Sequence, residues 1–476
     1  MNARFLLALS ALLSTSALAQ NVYAVGEVAV IEDTSGSIHQ DVDINNFMPG
    51  LMAAGGQFCR DSAKALYTQF PDQYDGVFAF TPAMLDDLMN VQQGQPVRWS
   101  DQGIGENTFD WGSQFGSASK LSQCVFMGSL PKLPASPDGP ATVLLGLPLG
   151  LSGVELMGHE YGHHWMLWVM YDKNDGLGQR DLLRGYDDSG NESEGTGSGY
   201  LNGHYNYYAD SHSVMYGQFI TDLGNGSFKL EGGDRKYGEL DQYLMGIRAP
   251  ADVHPLMIAD DGSGHGSAAG AIAKGSSQTV NNMTRVDVSI DDVVRAMGQR
   301  NPAYPNAQSC WRVAMMLVVP PGQTLNMADV QKVDAYRQRF EQWFTWATDG
   351  RGTMDTRLSG ASGCIANPDG GVVITPDAGT EMDAGQGGGA GGGGGSVATG
   401  GGAGGGGGEV IDAGGAGGGG GMMVMPPDDT PPQPSKDETH VPIKQLRPGC
   451  GCNSVDLGGL AVLLGLLALR RRQPRS

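Results

Sequence analysis

The sequence predicts an α/β domain of the α+β type, a buried helix packed on a mixed sheet, followed by a disordered Gly/Pro-rich tether and a short hydrophobic tail helix. Three observations carry this. Leu151 to Tyr171 (LSGVELMGHEYGHHWMLWVMY) is a Pro-free, mostly apolar run of helix length. Val28 to Glu32, Val77 to Thr81 and Arg312 to Val319 are short apolar runs that read as strands. From Ala366 to Gly449 the chain gives up almost every large apolar side chain for Gly and Pro tracts.

Taken in order, Met1 to Ala19 has one Arg, an apolar run and an Ala-Leu-Ala ending, the form of a secretory signal peptide cleaved before Gln20. The strand at Val28 to Glu32 precedes a helical stretch around Gly56 to Phe70 and then the strand at Val77 to Thr81. Residues 172–236 are rich in Gly, Asn, Asp and Ser, and so long an irregular segment directly after the apolar helix points to a functional loop. Its DKNDG and YDDSGNESEG runs lack the spacing of a calcium loop and read as solvated turns. Ser289 is an N-cap candidate for a short helix ending near Gly298. From Asn326 to Trp346, Val330, Val333, Phe340, Trp343 and Phe344 recur at helical spacing and mark a core face.

The expected organisation is a signal peptide (1–19), a globular domain (20–365), a disordered Gly/Pro-rich linker (366–448) and a tail (449–476). The tail joins Cys450-Gly-Cys452, an apolar stretch from Leu457 to Leu469 and the cluster Arg470 to Arg472. That stretch is short for a membrane span, but basic residues at its end suit an inside-positive orientation. A net charge of −21 argues against nucleic acid as a partner. In an exported domain Cys59, Cys124, Cys310 and Cys364 form an even set, so two disulfides are expected, with sequential pairing preferred among three connectivities. The alternative for Cys59 is a thiolate capping a metal in a latent form.

Inside the apolar run stands His159-Glu160-Tyr161-Gly162-His163. On a helix, histidines at i and i+4 share one face and can grip one zinc ion, with Glu160 near enough to act as base on a water. Gly158 and Gly162 cost helix stability, which implies close approach of another group. Two histidines do not complete a catalytic zinc site. The third ligand is open among His204, a carboxylate from Glu239 or Asp241, and His212 or Asp210; His164 points off the metal face.

The motif resembles that of the zincin metallopeptidases. The compact three-histidine continuation of the metzincins is absent, because Met166 and Val169 stand where its Gly and third His would be, so the helix is expected to run on. His204 followed by Ser213-Val214-Met215-Tyr216-Gly217 is instead similar to the leishmanolysin-like metzincins, over roughly His159 to Gly217. That resemblance implies Zn2+ as cofactor, His204 as third ligand, Met215 as a hydrophobic floor beneath the metal and Tyr216 as a catalytic donor to the reaction's oxyanion. The thermolysin-like alternative would use Glu239 or Asp241. The implied activity is a secreted or surface-tethered endopeptidase acting on protein or peptide substrates, with Glu160 as general base; the rivals are a non-catalytic surface adhesin and a zinc hydrolase of non-peptide bonds. From Pro448 to Ser476 the chain resembles the MYXO-CTERM sorting tails of myxobacterial surface proteins. This implies transient membrane association, sorting machinery that processes the tail near the cysteines, and delivery to the cell surface or release.

Overall fold

The computed structural model describes residues 20–39, 47–82, 92–105, 108–142, 148–183, 203–261, 272–360, 362–366, 372–373 and 450–452. The expected signal peptide, nearly all of the linker, and the apolar and Arg-rich parts of the tail lie outside the described residues. The protein is mixed α and β, built on one mixed sheet. Its strands are β1 (Asn21–Val25), β2 (Val28–Glu32), β3 (Gly76–Thr81), β4 (Gln92–Pro96), β5 (Gln123–Ser129), β6 (Cys310–Val319), β7 (Thr353–Asp355) and the tail strand β8 (Cys450–Cys452). They lie in the order β1-β2-β6-β3-β5-β4-β8, with β7 beside β6. β2, β6, β3 and β5 run parallel, whereas β1 and β4 flank them antiparallel.

The inner parallel strands β2, β3 and β6 are apolar along nearly their whole length because both faces are covered. Val28, Val30, Phe78, Phe80, Met315 and Leu317 enter one core, and the alternating Ala29, Ile31, Val77, Ala79, Met316 and Val318 enter the other. Helix α1 (Phe47–Leu66) covers the second face with Phe58, Cys59, Ala63 and Leu66. Helices α2 (Gly153–Gly162) and α5 (Met327–Ala347) cover the first. The face predicted for α5 is buried as expected, and Asn326 caps the helix by accepting the Ala328 N–H. Helix α4 (Ile290–Met297) has Ser289 as its N-cap, in a capping box with Asp292, and Gly298 at its end has φ 83°.

Two disulfides join the expected partners: Cys59–Cys124 ties α1 to β5, and Cys310–Cys364 ties the start of β6 to the chain after β7. Cys59 is therefore not a metal cap. None of the described helices is long and apolar enough to cross a membrane.

Three expectations are corrected. α1 starts at Phe47, nine residues before Gly56, and ends at Leu66, with residues 67–70 continuing as turns. Its Gly-rich beginning hid it from a periodicity argument. α2 does not run on to Tyr171: it ends at Gly162, and Met170–Asp172 is already a strand. Trp165, Met166, Leu167 and Val169 are all buried, so the run is apolar in every direction and carries no period that could mark the helix end. Within residues 172–236, Phe219–Gly224 and Ser227–Glu231 form a hairpin. Its turn is Asn225-Gly226, both at positive φ (52° and 74°), the strongest short-range hairpin signal a sequence carries.

Candidate metal centre

Helix α2 begins with a capping box in which the Ser152 hydroxyl accepts the Glu155 N–H and the Glu155 carboxylate accepts the Ser152 N–H. Gly158 is required because a Cβ there would stand 2.0 Å from Trp343 Cη2 of α5. This brings α5 tightly onto the helix. Tyr237 adds a hydrogen bond of 2.7 Å from its hydroxyl to the Gly158 carbonyl. His159 and His163 sit one turn apart on this braced helix, both fully buried.

His204 joins them from the downstream loop. The three imidazoles each offer a ligand nitrogen, all lying within 4.8 Å of one another, and the cluster is buried throughout. His204 Nε2 is 3.0 Å from His159 Nε2, and the two rings are nearly parallel at 4.9 Å. His159 Nδ1 lies 2.8 Å from the Val214 carbonyl, which can only accept, so Nδ1 carries the proton and Nε2 presents its lone pair to the centre of the cluster. Burial, and then repulsion from His159, hold His163 well below the usual imidazole range. It is neutral, the form that binds metal.

This donor set fits zinc. Three imidazoles are a known catalytic ligand set, and tetrahedral nitrogens about 2.05 Å from a metal lie about 3.3 Å apart, against 3.0 Å between His159 and His204 and no more than 4.8 Å across the whole cluster.

Glu160 is fully buried on the same helix. Its Oε2 accepts the Gly94 N–H at 2.7 Å and lies 3.9 Å from His163 Nε2. The helix backbone is held as well, because Gln123 Nε2 donates to the Glu160 carbonyl at 3.1 Å. Strands β4 and β5 thus fix both the backbone and the carboxylate of the candidate base. A Cβ on Gly94 would fall 1.9 Å from that carbonyl, so only glycine fits. Sequence reasoning missed Gly94 and Gln123. Gln-Gln-Gly-Gln-Pro has the composition of a turn, so it carried no strand pattern in which Gly94 could be read as a point of close backbone approach.

Ser213 to Gly217 form a tight turn under the histidines. The Met215 N–H bonds the Ser213 hydroxyl at 3.0 Å, the Gly217 N–H bonds the Ser213 carbonyl at 2.9 Å, and Tyr216 takes φ 64°. Met215 is fully buried, with its Sδ 2.6 Å from where a Cβ on Gly162 would be, which explains that glycine too. The Tyr216 ring packs 4.6 Å from His159 and 5.1 Å from His204. Arg235, 1 % exposed, secures the turn by donating to the carbonyls of Gly217, Ile272 and Gly150.

The other candidates lie elsewhere. Glu239 pairs with Arg248 and His254. Asp241 sits at the start of helix α3 (Glu239–Leu244), where it accepts the Gly238 N–H at 2.8 Å and the Tyr205 hydroxyl at 2.9 Å. Burial pushes its carboxyl up to about 6 against the opposing pull of bonds from Ser213, Gly238 and Tyr205. It orders the residue next to His204 without joining the cluster. His212 and Asp210 pair with each other at 3.0 Å, with His212 exposed. His164 is buried against Trp99 and Trp165.

No protein-family model, no characterised protein and no solved structure matches this chain.

Proposed function

We propose that the protein is a zinc-dependent endopeptidase of the zincin type, with His159, His163 and His204 as metal ligands and Glu160 as general base. The observation that carries this reading is the buried cluster of three imidazole nitrogens with a fixed carboxylate beside it. A structural zinc would be closed by a fourth protein ligand, and among the described residues the cluster has three. Zinc held there supplies Lewis acidity and lowers the pKa of a water to about 7. Glu160 takes that water's proton and returns it to the leaving amine. The Gly94 N–H keeps the carboxylate aimed as it does so, and Met215 and Tyr216 form the floor on which the ligand rings rest. The resemblance to leishmanolysin-like metzincins agrees with this ligand order, and Tyr216 is assigned as the oxyanion donor by that resemblance. Two disulfides support an exported protein, and the MYXO-CTERM-like tail supports delivery to the cell surface.

The test is Glu160→Ala. Zinc stoichiometry should stay at the wild-type value while casein hydrolysis is lost. Full activity in that variant would remove Glu160 from the mechanism, and loss of the metal would make it part of the site's structure.

A further inference from the structure

A cavity of about 280 Å³ lies behind the turn that follows His163. Its charged lining is Arg98, Lys120 and Arg300 against Asp75 and Asp101, with His164 at one wall. The two acids are already served: Asp75 accepts the Arg312 N–H at 2.7 Å, and Asp101 accepts from Arg300 at 2.7 Å. The two guanidiniums are ion-paired as well, yet each keeps one nitrogen without a hydrogen-bond partner. Arg300 is 4 % exposed, gives Nε to the Leu244 carbonyl and one Nη to Asp101, and leaves its other Nη without a partner. Arg98 gives Nε to Asp110 and one Nη to the Leu121 carbonyl, and its remaining Nη is also unsatisfied. Lys120 is exposed at the rim, and the carboxylate its charge acts on is that of Asp75.

Buried polar groups are almost always satisfied, so an unpartnered nitrogen on each of two guanidiniums that line one cavity needs an explanation. What the charged groups leave unsatisfied is donors. A water would bring two protons that need acceptors of their own, whereas an anion brings only acceptors. Guanidinium forks match planar oxyanions in particular. We propose that this cavity is a binding site for a small oxyanion, a carboxylate or inorganic phosphate, separate from the histidine cluster.

The experiment is thermal unfolding of the zinc-loaded full chain in acetate, in phosphate, and in a bulky organic sulfonate too large for the cavity, all at constant ionic strength. At a hundredfold excess over its dissociation constant, one of the first two should raise Tm saturably by about 4 °C, and the sulfonate should not. Which of the two acts identifies the ligand. Zinc also accepts carboxylates, so the deciding comparison is Lys120→Glu, an exposed position whose change reverses a charge at the cavity and leaves the histidines intact. The saturable rise should disappear in that variant. No saturable rise in the wild type, or the same rise in Lys120→Glu, overturns the proposal.

Discussion

Gly94→Ala tests how closely strand β4 is built around the candidate base. The added Cβ would stand 1.9 Å from the Glu160 carbonyl oxygen, against the 3.4 Å at which ordinary contact begins, a deficit of about 1.5 Å. Backbone lies on both sides, so neither group can rotate away. If β4 yields the whole distance, the 2.7 Å bond from Gly94 N–H to Glu160 Oε2 opens to about 4 Å, beyond hydrogen-bond range. A hydrogen bond to a charged group contributes about 1.5–3 kcal/mol, and overpacking a tight site costs about 1–3 kcal/mol. The expected loss of stability is therefore about 3 kcal/mol, read by urea unfolding. Misplacing a catalytic group by about 1 Å can cost on the order of 100-fold in rate, so kcat on a peptide substrate should fall about that much while the zinc content stays at the wild-type level. Wild-type kcat and stability in Gly94→Ala would refute the reasoning, since the carboxylate would not then depend on β4.

Two further outcomes follow from the same geometry. His204→Ala should weaken zinc binding by orders of magnitude in competition with a chelator, whereas Glu239→Ala, which loses only contacts to Arg248 and His254, should leave the affinity unchanged; the reverse pattern would place a carboxylate on the metal. Asp241 has a folded pKa of about 6 against 3.8 for the free side chain, so its contribution to stability is complete below about pH 4 and is lost as pH rises through 6, a change of about 3 kcal/mol. The stability of the wild type minus that of Asp241→Asn, in which the histidine contributions cancel, should fall across that window, and a flat difference would contradict the buried-acid assignment.

The pair His159 and His163 with Glu160 was legible from spacing alone, because i and i+4 on a helix determine a shared face. His204 was legible only as one of several candidates. What singles it out is tertiary: the turn at Ser213 to Gly217 presents the Val214 carbonyl to His159 and holds Tyr205 through the Met215 carbonyl, and neither contact has a sequence period. Glu239 and Asp241 looked equally suited as ligands by residue type, yet α3 commits them to Arg248, His254 and Tyr205. The strands β2, β3 and β6 were visible as apolar runs, whereas β4, made of Gln92, Gln93, Gly94, Gln95 and Pro96, has the composition of a turn. It is a strand because β5 pairs with it, and so the element that holds the candidate base was the one the sequence concealed. The end of α2 at Gly162 was hidden for the opposite reason, an excess of apolar residues.

The central claim is that three histidines hold one zinc that a carboxylate exploits for peptide hydrolysis. It is tested most directly by stripping the purified protein with a chelator and titrating zinc back while metal content and peptide hydrolysis are followed on the same sample. Hydrolysis should vanish with the metal and return linearly, with a sharp break at one zinc per chain. Hydrolysis that persists without metal, or a fully zinc-loaded protein that cleaves no peptide, would contradict the account.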